Sequence, residues 1–395
     1  MMKSQRKNIP LVRVKGFEGA WELCTLGEHI EDYVEKTTVQ NQYPVLTSSQ
    51  NKGIVRQEDY FANRQVTTDS NIGYFVLPKG FFTYRSRSDN GVFKFNRNDL
   101  LDKGIISYFY PVFSIVEGDS DFYLKLLNTS ITKQVMLQAE GTGQKVLSLS
   151  KFKSIKTLVP SLPEQSAIGS LFRTLDDLLS RYKDNLANYQ SFKATMLSKM
   201  FPKAGHKVPE IRLEGFEGEW EEKQLSKLVK RVTQSSDSDS LPKVEFEDII
   251  SGQGRLNKDI SSKFDNRKGI HFKPGYTLYG KLRPYLNNWL LPKFEGVALG
   301  DFWVFDPNGN DSNFIYYLVQ SNRYQKVAND TSGTKMPRSD WKSVSSTIFA
   351  IPQTVAEQQA IGSYFSNLDN LINSHQEKIS QLETLKKKLL QDMFI

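Results

Sequence analysis

Apolar residues recur at alternating steps of four and three in two stretches of the chain. Ile168, Phe172, Leu175, Leu179, Tyr182, Leu186 and Tyr189 form one series; Ile361, Phe365, Leu368, Ile372, His375, Ile379 and Leu382 form the other. This spacing is a heptad seam and predicts two long helices. Each opens on a capping box, Ser161 with Glu164 and Thr354 with Glu357, in which side chains satisfy unpaired amides of the first turn. Pro202 ends the first helix. At about 1.5 Å per residue, the stretch from Glu164 to Phe201 makes a rod of roughly 57 Å. Past Tyr189 the first seam leaves its phase at Phe192, Met196 and Met200, and the second does so at Leu385, Leu389 and Met393. Such a rod exposes its seam unless it pairs, and the partner of equal length in the chain is the other copy. Leu171, Leu178, Leu197, Tyr364, Leu371 and Leu390 widen the apolar surface beyond the needs of two helices, which leaves room for a further helical partner.

Between the helices the pattern is mixed. Aromatic and β-branched residues around 276–279, 289–291 and 302–305, set between Gly and Pro, predict strands. Phe314, Tyr317, Leu318, Ser321 and Tyr324 share one face of a helix introduced by Ser312, and 121–139 mirrors it. QSSDSDSLPK (234–243) reads as a loop and PKAGHKVP (202–209) as a linker.

The chain also repeats itself. IPLVRVKGFEGAWE, which ends at Glu22, returns 199 residues later as VPEIRLEGFEGEWE. EQSAIGSLFRTLDDLL (164–179) returns 193 residues later as EQQAIGSYFSNLDNLI, and KMF (199–201) returns as DMF (392–394). Similar ends thus bracket dissimilar middles. The middles share a faint skeleton in which Gly80 and Tyr84 face Gly275 and Tyr279, and Gly143 to Lys145 face Gly333 to Lys335. A period near 195 residues is a duplicated domain and not a solenoid.

Composition narrows the classes. A length of 395 residues supports two or three domains with proper cores. A single cysteine, Cys24, gives neither a disulfide framework nor a cysteine metal site, which suits a reducing cytoplasm. The basic start has no apolar segment behind it, and no apolar run reaches membrane-spanning length, so a soluble cytoplasmic protein is expected. A net charge of +8 with 12% aromatic residues favours polyanionic partners.

Catalytic motifs are missing. His29, His206, His271 and His375 lack metal-ligand spacing, and no GxSxG, HExxH or GxGxxG occurs. There is no Pro-Pro-Tyr/Phe motif of an amino-methyltransferase and no nuclease-like acidic and Lys cluster behind a Pro-Asp pair. GYTLYGK (275–281) imitates the first seven places of a phosphate-binding loop. Leu282 stands where Ser or Thr must bind magnesium, and YTLY reads as strand.

The same stretch suits nucleic acid better. In GKLRPYLNNW (280–289), Lys281 and Arg283 suit phosphates or guanine, Asn287 and Asn288 carry adenine-reading amides, and Tyr285 or Trp289 suits stacking. The matching YRSRSDNG (84–91) offers Tyr84, Arg85, Arg87 and Asn90, with turns marked by Pro284 and Gly91. A second candidate precedes each helix: EGTGQKVLSLSKFK (140–153) with Lys145, and DTSGTKMPRSDWK (330–342) with Lys335 and Arg338. Glycine there lets backbone approach a phosphate while Lys supplies charge. The alternative for each loop is an ordinary polar surface with solvated charges.

The doubled GFxGxWE, the KLRPYLN turn after a strand, and the doubled P-x-x-EQxAIGxxFxxLD helix start together resemble the specificity (HsdS) subunits of type I restriction-modification enzymes across nearly the whole chain. The resemblance implies an α+β fold: two tandem mixed target recognition domains, each followed by a long helix, the helices pairing as an antiparallel coiled coil with pseudo-two-fold symmetry. The expected boundaries are 1–158 and 210–350 for the recognition domains, 159–201 and 351–395 for the helices, and 202–209 for the linker. Ile168, Phe172, Leu175 and Leu179 on the first helix and Ile361, Phe365, Leu368 and Ile372 on the second would serve the helix pairing. Each domain would read one part of an asymmetric, bipartite double-stranded DNA target, with half-sites about one helical turn, roughly 10 bp, apart. Recognition surfaces would come from Tyr84 to Asn90 and Gly280 to Asn288, supported by the Gly-Lys loops; because Arg85 replaces Gly280, the two turns need not superpose. Two modification subunits would dock on the helices and methylate adenine at N6 with S-adenosylmethionine, and restriction subunits would add ATP- and magnesium-dependent translocation and cleavage. This chain would then bind no cofactor or metal and be no enzyme. Two other classes stay open at this point: a scaffold without DNA binding, built on paired helices, and an enzyme with an unrecognised site.

Overall fold

The structure, a computed structural model, describes residues 8–61, 70–330 and 336–395. It divides into two compact units. One comprises Met1–Tyr182 together with Lys378–Ile395, and the other Lys183–Glu377. The predicted helices run from Leu162 to Met200 and from Val355 to Asp392. The unit boundaries fall inside both of them, so each unit owns the start of one helix and the end of the other.

Each unit is built on a four-stranded antiparallel sheet with one strand order. In the first unit the order is Ile30–Tyr33, Val112–Ile115, Phe82–Tyr84, Phe95–Arg97; in the second it is Lys230–Val232, Phe302–Asp306, Thr277–Gly280, Trp289–Leu290. The dissimilar middles therefore share one topology. The central strands of the second unit are buried on both faces, and their side chains alternate between two cores. Tyr279, Trp303 and Phe305 join a cluster with the helices, whereas Leu278, Phe302 and Val304 pack on Val244 and Phe272 of a second, smaller sheet. Aromatic runs that looked like strands from composition are strands because both faces have something apolar to cover.

The face expected to carry one helix over 312–324 carries two, Ser312–Leu318 and Asn322–Ala328. Asp311 caps the first through Phe314 N (2.8 Å), in place of Ser312, and Ser321 breaks the run by capping the second through Tyr324 N (3.4 Å). Ser120–Leu126 and Thr132–Gln138 repeat the break in the first unit. A shared apolar face does not reveal that a serine within it has turned its side chain to backbone amides.

The repeated phrases meet in space. The strand after each GFEG turn pairs with the strand leading into the long helix, Glu22–Thr25 with Lys156–Val159 and Glu221–Gln224 with Ile348–Ile351. This brings Arg13 onto Glu164 through two hydrogen bonds of 2.7 Å, and Arg212 onto Glu357 at 2.8 and 2.9 Å. The same guanidinium groups donate to the turn carbonyls Glu18 O and Gly19 O, and Glu217 O and Gly218 O. Glu164 raises the Arg13 pKa above its ordinary value. The capping boxes are corrected by this. Thr354 Oγ1 does accept from Glu357 N at 3.3 Å, but the carboxylates of Glu164 and Glu357 are buried and turned to arginine, and Glu357 also accepts from Trp220 Nε1 at 3.0 Å.

The next repeated residues complete the junction. Gln165 accepts from Asp119 N (3.1 Å) and Gln358 from Asp311 N (3.0 Å), fixing the cap of the short helix onto the long one. A Cβ on Gly169 would lie 2.3 Å from Asp119 Oδ1, and one on Gly362 would lie 2.7 Å from Asp311 Oδ1, so the glycine of each AIG permits the contact.

Helix pairing is antiparallel within each unit. In the first unit Phe172 meets Phe394, and Asp176 takes ion pairs from Lys386 and Lys125; in the second Tyr189 meets His375, Lys193 meets Asp369 at 2.6 Å, and Phe201 meets Phe365. Ile168, Phe172, Leu175, Leu179, Ile361, Phe365 and Ile372 are buried, while Leu368 is half-buried against the second core. Of the residues that leave the seam, Phe192 and Leu385 are exposed, whereas Met196, Met200 and Met393 are buried. The doubled MF has a clear role. Phe394 packs on Trp21 and Phe122, and Phe201 on Phe314 in the core that holds Trp220, so the end of each helix fills the unit that the other helix begins. Backbone bonds seal it, Val12 N to Asp392 O at 3.0 Å and Ile211 N to Lys199 O at 3.1 Å.

Candidate nucleic-acid interface

In the second unit the strand Thr277–Gly280 ends in a left-handed Arg283 (φ 47°), a single 3-10 turn Pro284–Leu286 and a left-handed Asn287 (φ 55°). The turn is held by Leu286 N to Arg283 O at 2.8 Å and Asn287 N to Pro284 O at 2.9 Å. Two non-glycine residues in the left-handed region cost of order 1 kcal/mol or more each, which surrounding bonds must offset. They do. Arg283 N donates to Pro337 O at 2.7 Å, and Ser339 N donates to Lys281 O at 2.8 Å.

Those bonds join the two segments singled out by sequence. Leu282 bridges Arg338, and Asp301 binds both Lys281 (3.5 Å) and Arg338 (2.9 Å). The Arg338 hydrogen bond holds the Asp301 carboxyl below its usual range, with Lys281 adding to the effect. Two cations thus share one carboxylate. Arg283, Tyr285 and Arg338 are exposed, and Lys281 and Asn287 half-exposed. Asn288 is a correction: it is buried beneath the turn, where its carbonyl accepts from Gly280 N at 2.7 Å, and Trp289 is buried in the core. Trp289 opens the returning strand Trp289–Leu290 and Asn288 immediately precedes it, where the turn above covers it. Lys335 lies outside the described residues.

The first unit makes the same union differently. Arg87–Ser88 pairs with Lys145–Val146, and Gln144 Nε2 donates to Asp89 at 2.8 Å. The turn is longer and has no 3-10 element between its strands. Arg85, Arg87 and Asn90 are exposed, Lys145 is half-exposed, and the Arg87 guanidinium lies 4.6 Å above the Phe109 ring. Asn90 Oδ1 accepts from Ser88 Oγ and Val92 N, so part of its amide serves the turn. Tyr84 is the second correction. It sits in the core among Phe95, Phe113 and Phe152, its hydroxyl donates to Leu147 O at 3.1 Å, and burial raises its pKa. Its place in the strand Phe82–Tyr84, one residue before the turn, decides this.

Sequence reasoning missed one element of the site. In each unit a short hairpin lies beside the basic turn: Leu46–Ser49 with Gly53–Arg56, and Ile249–Ile250 with Arg255–Leu256. The signals were Gln50-Asn51-Lys52-Gly53 and Ser251-Gly252-Gln253-Gly254, polar turns with glycine at positive φ.

The family defined as the type I restriction modification DNA specificity domain matches this chain twice, over residues 21–188 and 217–384. The chain belongs to that family. DNA recognition within a type I restriction-modification system is accordingly the function of this specificity subunit. It is 23% identical over 294 residues, 68% of this chain and 67% of the relative, to the specificity subunit of the type I restriction enzyme MjaVIII from Methanocaldococcus jannaschii. Its fold is that of the type I S subunit from M. genitalium, with 13% identity, 98% and 99% of the two chains covered and a TM-score of 0.60. A chain from a structural study of complex assembly and conformational transition in the type I R-M system is also similar, with 13% identity, coverage of 96% and 99%, and a TM-score of 0.50. Among the described residues of the specificity subunit, no helix is long and apolar enough to cross a membrane.

Proposed function

We propose that each unit of this specificity subunit reads one part of an asymmetric bipartite DNA target. The observation that carries this is the paired surface: in both units a basic turn and the segment ahead of the long helix, far apart in sequence, are joined at the corresponding end of the main sheet, with different residues in each. Arg283, Lys281 and Arg338 with Tyr285 and Asn287 face one half-site; Arg85, Arg87, Lys145 and Asn90 face the other. Lys335, by its place in the sequence, is a further candidate for phosphate contact from the second unit. Arginine and lysine supply phosphate affinity and guanine contacts, and amides select adenine.

The paired helices dock two modification subunits, which hold S-adenosylmethionine and methylate adenine in the cytoplasm, and restriction subunits bring ATP- and magnesium-dependent cleavage. This chain contributes recognition and no catalysis. The test is to co-express it with its modification subunits and map N6-methyladenine across host DNA. A split, asymmetric motif with a constant gap is expected, and exchanging residues 30–150 for those of a homologue with a different target changes one half only. Robust methylation without such a motif overturns the double-reader assignment.

A further inference from the structure

The geometry points to the hairpin turn Gln50-Asn51-Lys52 as a base-reading finger of the first unit, opposing Arg85 and Arg87 across a cleft and selecting adenine in its half-site. This rests on the DNA-reading role proposed above and goes beyond it by naming residues outside both basic segments.

Three observations carry the assignment. First, the turn is built to be rigid while its tips stay free. Ser49 is buried, and its Oγ accepts from Asn51 N (3.3 Å) and Lys52 N (3.1 Å); Asn96, buried in the main sheet, donates to Ser48 Oγ (2.8 Å) and Ser49 O (2.9 Å). Gly53 closes the turn at φ +70°. Gln50, Asn51 and Lys52 are exposed. Fixed backbone beneath solvent-facing amides suits recognition, because little entropy remains to be lost on binding.

Second, the finger and the basic turn line one cavity. Its volume is about 440 Å³, and its walls include Gln50 and Asn51 on one side and Arg85, Arg87 and Asn90 on the other. Amides and guanidinium groups converge there from separate elements, which a merely solvated loop does not require. Third, the second unit keeps a polar hairpin in contact with its own basic turn although the sequence differs. Gly252 N donates to Asn287 O at 3.0 Å, Ser251 Oγ donates to Leu286 O, and Gln253 binds Arg255 at 2.9 Å. A feature retained in both divergent middles at the reading end of the sheet belongs to the reader.

The chemistry follows from groove geometry. A two-stranded ribbon fits the major groove, where Asn and Gln side chains bond the N6 and N7 edge of adenine bidentately. Lys52, which sits 5.9 Å from the Tyr60 ring, reaches the adjoining phosphate.

The test uses the full chain in complex with its modification subunits, comparing wild type with Gln50→Ala/Asn51→Ala. Both side chains are exposed, so the variant retains the fold. Methylation mapping is expected to show one or two base pairs of one half-site relaxed, with discrimination there reduced about 5- to 150-fold, and the other half unchanged. Purified complexes should lose affinity for the target duplex and keep it for a scrambled duplex. A variant motif as stringent as wild type overturns the finger and leaves the wider DNA reading standing. Equal loss on both duplexes also overturns it, since the hairpin would then carry phosphate contacts alone. A wild-type complex that methylates without a split motif removes the finger and the double reader together.

Discussion

The two units agree most closely where they are dry and least where they are wet. Arg13 on Glu164 and Arg212 on Glu357, Phe394 on Trp21 and Phe201 beside Trp220, Gln165 on Asp119 N and Gln358 on Asp311 N repeat one another contact for contact. The turns after Tyr84 and Gly280 share their position in the sheet, their neighbouring segments and their excess of cations, but neither their residues nor their conformation. Buried contacts constrain both copies because a lost partner leaves an uncompensated charge or a cavity. An exposed turn carries no such penalty, so it is free to acquire a different target. Duplication thus supplied one frame with two separately changeable surfaces.

The comparison can be broken at several points. The largest effect is expected from the buried ion pairs. Arg13→Ala should destabilise the first unit by about 3–5 kcal/mol, since it strands a buried carboxylate. Arg212→Ala should cost the second unit less, because Trp220 Nε1 still donates to Glu357 whereas Trp21 Nε1 has no hydrogen-bond partner. Urea unfolding of both variants ranks them, and an equal cost would show that the two frames are energetically the same. Phe394→Ala and Phe201→Ala should each cost about 3–5 kcal/mol at the transition of the unit that each fills. A thermal scan in which Phe201→Ala destabilised residues of the first unit would contradict the exchange of helix ends.

Smaller effects lie at the reading surface. Arg283→Ala should lower the slope of log K against log salt by about one phosphate equivalent and leave folding intact. Lys281→Ala should lower it less, because Asp301 already neutralises part of that charge. Fluorescence binding titrations at several salt concentrations separate the two. The smallest effect is pH-dependent. The Asp301 carboxyl is depressed by Arg338, so its stabilisation is full above the ordinary carboxylate value of about 4 and disappears as pH falls through the lower folded value. The protection factor of the Arg283 amide, its exchange rate taken relative to the intrinsic rate, should be steady from about pH 7 to 5 and fall only below about pH 4.

Much of the frame was legible because it was written twice. The seam and the paired turns follow from period and repetition, and the strands of the second unit from their aromatic and β-branched composition. The purpose of the repeated words was not legible. Glu164 satisfies a local capping rule, and nothing near it in sequence announces Arg13, 151 positions away. Tyr84 and Asn288 were misplaced for a related reason: they adjoin exposed turns, yet one belongs to a strand with both faces covered and the other to its return. Asp301 escaped notice as an ordinary acidic residue until folding set it between Lys281 and Arg338. The hairpin at 46–56 is too short to declare a period and announces itself only through its turn.

The division of the chain into Lys183–Glu377 and a remainder that includes Lys378–Ile395 bears on synthesis. A ribosome delivers residues in order, and domains ordinarily fold as they emerge, the earliest first. Here that order is inverted. The second unit is one continuous stretch and has all its parts once Glu377 has appeared. The first lacks Phe394, which fills the space beside Trp21, and the Asp392 carbonyl that Val12 binds. It begins to form first and is completed last, so a nascent chain that has emerged only as far as Glu377 should hold a finished second reader and a first one still lacking its helix end.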